Sequence, residues 1–211
     1  MNNTTSTTAF NLNEKICEFV YKISIKDATN QQAFSKKNKN ELWTKSNYVG
    51  QIYPGLRDHI NKILDKKYTS EQSYNDDFYK LCNDICKNIN NWYGENSFSF
   101  GNAQKLINMF VKYFYIKSYD DEDLKQCFQF CHCPMDSKMI DYIWKHCKQA
   151  VRKKSYNSVQ WHKSWSNLIF QEGQIPNKYI DFQELVREDC KNYKTDNRTI
   201  YPSEYDYIFW Q

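Results

Sequence analysis

Two side chains in this sequence have the type and setting of a covalent amine-and-carboxylate site. Lys105 stands near the start of an apolar stretch, SFSFGNAQKLINMFVKYFY, residues 97–115. Asp136 follows Pro134 in FCHCPMDSKMIDYIW, residues 130–144. A lysine attacks carbon only as the neutral amine. At the ordinary pKa of about 10.4, roughly one molecule in a thousand is neutral near pH 7.4. Burial, a neighbouring cation or the positive end of a helix dipole raises that fraction, and Lys112, two turns further along, adds to the positive field. A carboxylate beside the amine acts the other way, favouring ammonium. The bland reading of the same residues is that Asp136 caps a helix after a proline, and that Lys105 is a solvated first-turn residue.

Helical periodicity dominates the elements that must position this pair. Helices are expected near residues 12–25, with Ile16, Phe19, Val20 and Ile23 on one stripe, and over 56–67 after a Tyr53-Pro54-Gly55 turn. The clearest runs over 73–92, with Ser73 as its cap and Phe78, Leu81, Cys82, Ile85, Ile89 and Trp92 on one face. The helix over 101–116 should bury Leu106, Phe110, Tyr113 and Phe114, and gather Lys105, Asn108 and Lys112 on another face. A short segment over 121–130 leads to a turn at 131–135. One helix from Asp136 should then carry Ile140, Ile143, Trp144, Cys147 and Val151. Later helices are expected over 158–170, over 182–193 with Asp181 and Glu184 as a capping box, and over 203–210. No segment alternates as a strand, and no internal repeat is visible. The fold class is all-α: a polar, disordered tail over 1–10, a loop over 29–41, and a single compact helical domain over 11–211.

Composition sets the outer bounds. Among 211 residues there are 5 Gly and 4 Pro, too few turn formers for a many-stranded barrel or sandwich. Aromatics make up 17% of the chain, so Tyr, Phe and Trp must build much of the core. The net charge of +4 permits nucleic-acid binding without requiring it. Its distribution is uneven: KHCKQAVRKK, residues 145–154, holds five cations and no acid. That segment is either a solvated helix end or a phosphate-facing patch. The polar N-terminus lacks the apolar core of a secretory signal, and no apolar run approaches the roughly 20 residues of a membrane span. The eight cysteines then read as reduced thiols, and the chain as a cytoplasmic protein.

The pair resembles the helix-hairpin-helix DNA glycosylase superfamily, most closely its archaeal 8-oxoguanine DNA glycosylase branch. There a helix opening Gln-Lys carries a Schiff-base lysine, and a Pro-x-Asp turn presents the catalytic aspartate. This chain has Gln104-Lys105 and, 31 residues after the lysine, Asp136 in Pro134-Met135-Asp136. Gly101 matches the hairpin glycine of the wider superfamily, whereas Ala103 replaces the second one. The likeness covers residues 98–151. It implies a glycosylase-like helical fold and excision of a damaged or modified base from double-stranded DNA, with strand cleavage as a sequel. Lys105 would attack C1′ of the flipped nucleotide, and Asp136 would steady the charge developing on the deoxyribose. Gln104, Asn108 and Trp210 would contact the base. Gly101, Lys112, Lys148, Arg152 and Lys153 would face the DNA.

Other constellations point nowhere as definite. Cys127, Cys131, His132 and Cys133 are dense but lack the separated pairs of a zinc site. No glycine loop cradles a phosphate, so no cofactor is expected. Trp43, Trp92, Trp161 and Trp165 are stacking candidates that equally suit a core. The competing reading is a non-catalytic helical binding protein, an adaptor or an inhibitor in microbial or phage defence, that meets a protein partner through its aromatic residues.

Overall fold

The computed structural model describes residues 14–29, 46–118, 120–163, 165–195 and 198–209. The expected tail over 1–10, nearly all of the loop over 29–41, Trp43 and Trp210 lie outside them. The described chain is mainly helical, with two two-residue strands near its end. Helices α1 (Glu14–Thr29), α2 (Ser46–Leu64) and α3 (Glu71–Tyr93) come first, and α4 (Phe100–Lys117) follows them. Then come α5 (Glu122–Cys127), α6 (Ser137–His146), α7 (Lys148–Lys153) and α8 (Ser158–His162), with a 3-10 turn at Trp165–Asn167. Helix α9 (Asn177–Cys190) precedes β1 (Lys194–Thr195) and β2 (Arg198–Thr199), which pair antiparallel, and α10 (Pro202–Phe209) ends the described chain.

Helix α4 is the axis of the molecule. The sequence predicts one apolar face, yet every residue from Phe100 to Val111 is buried. Helices α1, α2, α3 and α10 and the 3-10 turn all pack against it. Ser99 caps it, accepting from Asn102 N at 3.1 Å, while Asn102 Oδ1 accepts from Ser99 N. That reciprocal box satisfies two of the end's orphan donors. Helix α3 begins with the same device three residues before its expected start. Ser70 is the cap and Ser73 the returning partner, because serine at both positions lets each side chain reach the other's backbone.

Four other boundaries differ from the sequence reading for identifiable reasons. Helix α2 runs through Pro54, where a turn is expected. An interior proline costs about 3 kcal/mol, offset here by the buried row Ile52, Leu56, Ile60 and Ile63. The single helix expected from Asp136 to Val151 breaks at Cys147 (φ −111°, ψ 26°), which redirects α7 so that Val151 still reaches the core. The helix expected over 158–170 stops at His162, and Trp161 and Trp165 enter the core from a corner rather than from one helix face. Helix α9 starts at Asn177 after Pro176, not at Asp181. Asp181 instead accepts from Lys154 at 3.0 Å and from the Tyr156 hydroxyl at 2.9 Å, so it bridges elements instead of capping its own helix.

The corner at Trp165 depends on Gly101. A Cβ there would sit 1.8 Å from the Trp165 carbonyl oxygen, a backbone atom that no rotamer can remove. At Gly50, in contrast, a Cβ would meet nothing within 4 Å. Gly101→Ala should therefore lower stability by about 3 kcal/mol or more, while Gly50→Ala should raise it by about 0.5–1 kcal/mol through helix propensity. Urea denaturation of the two variants checks this, and equal effects would contradict the packing.

Candidate functional site

The site is built from one helix and one turn. The turn over residues 131–136 is held from two sides by glutamines. Gln104 Nε2 donates to the Met135 carbonyl at 2.8 Å and Gln104 Oε1 accepts from Met135 N at 3.1 Å. Gln183 makes the same fork with Cys133, at 2.7 and 3.1 Å. Both glutamines are buried. This double clamp fixes where α6 begins and therefore where its cap, Asp136, stands.

Asp136 has both carboxylate oxygens engaged. Oδ1 accepts from Met139 N at 3.0 Å as the N-cap of α6, and Oδ2 accepts from Lys105 Nζ at 2.6 Å. The two side chains are 12% and 8% exposed. The capping and the covalent-site readings of Asp136 are thus compatible: one oxygen serves each. Both residues line a cleft of about 410 Å³. Met109, Tyr113, Trp165 and Tyr207 supply apolar and aromatic wall, while Lys112, Lys138, Asp27 and Asp206 add charge.

A second lysine–aspartate pair lies in the same cleft. Lys112 Nζ is 2.6 Å from Asp206 Oδ1. Burial pushes the Asp206 carboxyl above the usual range, Lys112 and then Lys105 pull it down, and Asp136 pushes it up. Helix α10 brings Asp206 here because its neighbours are tied down. Glu204 accepts from Arg198 at 2.7 and 2.8 Å and from the Tyr115 hydroxyl, and the Tyr205 hydroxyl donates to Asp189 at 2.5 Å.

The other residues singled out in the sequence fall elsewhere. Gln104 and Asn108 are not on the cleft wall: Gln104 clamps the turn, and Asn108 Nδ2 donates to Gln104 Oε1 and to the Tyr179 hydroxyl, both at 3.1 Å. Gly101 is buried beneath the Trp165 carbonyl, where it permits close packing, not contact with a phosphate. Lys112 faces the cleft and is held by Asp206. Arg152 and Lys153 are exposed, and Lys148 Nζ sits 5.8 Å from the centre of the Trp144 ring. These three lie past the far end of α6, whose ten residues span about 15 Å from Asp136. Trp210 lies outside the described residues. Trp161 and Trp165 are core residues, with Trp161 Nε1 donating to the Ile140 carbonyl at 2.9 Å, and Trp165 also borders the cleft. The sequence reading missed Gln183 and Asp206. A buried glutamine has no periodic signature, but the run SEYD in an otherwise aromatic terminal segment was a usable one.

The Cys/His cluster is a set of core contacts. Cys131 and Cys133 are buried, and His132 bonds the Tyr179 hydroxyl at 2.9 Å and Asn75 Oδ1 at 2.8 Å. Among the described residues, no group of three or more His, Cys, Asp or Glu is placed to hold a metal ion. No described helix is long and apolar enough to cross a membrane. Comparison with protein-family models, with curated proteins and with solved structures found no match.

Two expected outcomes test this geometry. Asp136→Ala deletes a cap and leaves the Lys105 ammonium buried without its carboxylate. It should cost about 3–5 kcal/mol, measured by chemical denaturation; a loss below about 1 kcal/mol would mean the pair is solvated. His59 and His132 are both held below the ordinary histidine range by burial. The native state then resists a proton that the unfolded chain accepts below about pH 6.5. Their contribution is complete above that pH and is lost as pH falls through it, more steeply for His132, which is displaced further than His59. Denaturation curves at pH 7, 6 and 5 should show this slope, and His132→Gln should remove one histidine's share.

Proposed function

We propose that this chain is a base-excision enzyme of the helix-hairpin-helix DNA glycosylase kind, with lysine-dependent lyase activity. The observation that supports this most directly is the 2.6 Å contact between Lys105 and Asp136 in a cleft walled by aromatic side chains. Helix α3, the connection over residues 94–99 and α4 would be the helix pair and its hairpin. The cleft volume lies within the range of about 300–1,000 Å³ typical of small-ligand sites, enough for one flipped nucleotide, with Tyr113, Trp165 or Tyr207 offering ring faces.

The chemistry follows from the two oxygens of Asp136. Met139 N holds one oxygen of this carboxylate at the α6 N-terminus and leaves the other free to face Lys105. When a nucleotide enters, the Lys105 ammonium gives its proton to Asp136 along their hydrogen bond. The free amine forms a bond to C1′ as the C1′–base bond breaks, and the base leaves with the electron pair. Loss of a proton from the new ammonium, with opening of the sugar at O4′, gives the imine from which strand cleavage proceeds. Double-stranded DNA would approach over the cleft mouth, where Lys138 stands on the first turn of α6. The exposed cations of α7 lie further off and would meet only flanking phosphates.

Borohydride trapping tests the reading. Duplexes carrying 8-oxoguanine or an abasic site should give a covalent protein–DNA adduct that Lys105→Gln abolishes. A specific observation favours the other reading, a non-catalytic adaptor or inhibitor: Phe19, Val159 and Ile169 are 63%, 72% and 65% exposed and would suit a protein partner. Absence of any adduct across a panel of lesions would favour that second reading.

A further inference from the structure

The cleft has a neighbour on the same face of α4. A second pocket of about 410 Å³, as large as the cleft, opens beside the first turn of that helix. Asn102 belongs to its wall, while Lys105, Met109, Lys112 and Ile116 belong to the cleft. Steps of three, four, three and four residues put these five side chains on one stripe. The two cavities thus lie in line along α4, divided by the 3-10 turn at Trp165–Asn167. Trp165 borders the cleft, and Ser166 and Asn167 border the second pocket. Gly101 seats this divider, because its missing side chain admits the Trp165 carbonyl. The walls of the two cavities differ in kind. The cleft holds three lysines and three aspartates. Among the described residues, the second pocket is lined by Asn96, Ser97, Ser99, Asn102, Ser166 and Asn167, with Ile169 and Phe170 as its apolar part. None of these is charged, so a phosphate or an amine meets no counter-ion there. The lining suits a flat, neutral group with donors and acceptors on its edge, since amides and hydroxyls pair with base edges and a ring takes the base plane. The exposed amides of Asn96 and Asn167 make no hydrogen bond to any described residue and are available for such an edge. Asn102 stands three residues before Lys105, about 4.5 Å along the helix axis. That is close to the roughly 3.4 Å between successive nucleotides of a stacked strand.

We propose that this second pocket receives the base of the nucleotide next to the excised one. The assignment rests on the base-excision reading. With Lys105 at C1′ of the damaged nucleotide, the strand crosses the Trp165–Asn167 divider. The next base then lies beside Phe170, its edge toward the Asn96 and Asn167 amides. A paired neighbour must give up its partner and its stack to enter, so in an intact duplex it stays in the helix. A neighbour that is already unpaired enters at little cost. The favoured substrate is therefore damage lying beside an unpaired nucleotide. The effect belongs to one side of the lesion only, because the pocket lies at one end of the cleft.

Excision of 8-oxoguanine by the full chain is compared in three duplexes: fully paired, mismatched at the 5′ neighbour, and mismatched at the 3′ neighbour. For the unsubstituted chain, a mismatch on one side should raise excision about tenfold, within the contribution of one stacked base, and on the other side less than about threefold. Asn167→Trp fills the pocket from an exposed position. It should remove the tenfold gain. Excision from the paired duplex, and borohydride trapping at a paired abasic site, should change less than about twofold, as for an ordinary surface substitution. No gain on either side, or an equal gain on both, would overturn the proposal. A gain retained in N167W would overturn it too, because loosening of the duplex rather than the pocket would then be responsible. An equal fall on every duplex at an unchanged melting temperature would also overturn it, making Asn167 a support of the cleft wall. These three outcomes leave the excision reading intact. If the unsubstituted chain neither excises nor traps, the excision reading fails, and this proposal fails with it. Should N167W melt early, Asn96→Gly decides instead. It deletes one amide at a backbone φ of 60°, which glycine adopts without strain. That variant should cut the gain to about threefold or less, and an undiminished gain would overturn the assignment.

Discussion

The structure is organised by the requirement that buried polar groups on α4 find partners. This helix is enclosed on every side through its first three turns, yet it carries Asn102, Gln104, Lys105 and Asn108 there. A buried polar group left unpaired costs about 1–3 kcal/mol, and an unpaired charge costs more. Each partner comes from a different part of the chain. Asn102 reaches the Ala28 carbonyl of α1 at 2.6 Å, Gln104 the 131–136 turn, Lys105 the cap of α6, and Asn108 Tyr179 of α9. One turn further on, Lys112 fixes α10 through Asp206. Apolar burial drives these elements together, but it is non-directional. The polar row supplies the register.

Under the proposed base-excision chemistry, the ion pair between Lys105 and Asp136 would have two roles that pull against each other. As a contact it ties α6 to α4, and in the proposed chemistry it would have to open for the amine to act. The glutamine forks resolve the conflict. Gln104 and Gln183 hold the turn by four hydrogen bonds that do not involve the pair, and Met139 N keeps Asp136 at its station. The lysine can leave its partner without releasing the turn. In the proposed reaction this would keep the two groups aimed while charge moved between them.

How much of this was legible follows from the range of each interaction. The all-α character and the major helices are local properties, written in periodicity and caps, and Phe78, Cys82, Ile85 and Ile89 occupy the core as their spacing suggested. Boundaries failed where a distant partner decided. Asp181 looks like a cap until Lys154 and Tyr156 are placed beside it, and Pro54 looks like a helix stop until the buried row on both sides of it is counted. In the site, Lys105 and Asp136 were visible because each stands near the start of an expected helix, but their contact spans a turn that local rules cannot close. Asp206, marked only by the polar run SEYD, was harder to place. Its position in the cleft comes from Lys112 and from the anchoring of α10 by Arg198, Tyr115 and Asp189, contacts that no helix period encodes. Gly101 was noticed as a hairpin glycine, and its packing against Trp165 could not be read from its neighbours.

A double-mutant cycle on stability tests the central claim most directly: that Lys105 and Asp136 form one buried, coupled unit. Lys105→Met, Asp136→Asn and the double variant would be compared with the unsubstituted chain by urea denaturation at pH 7. The account predicts a coupling energy of at least about 1.5 kcal/mol, the lower bound for close, desolvated charge pairs. Effects that simply add, within about 0.5 kcal/mol, would contradict it.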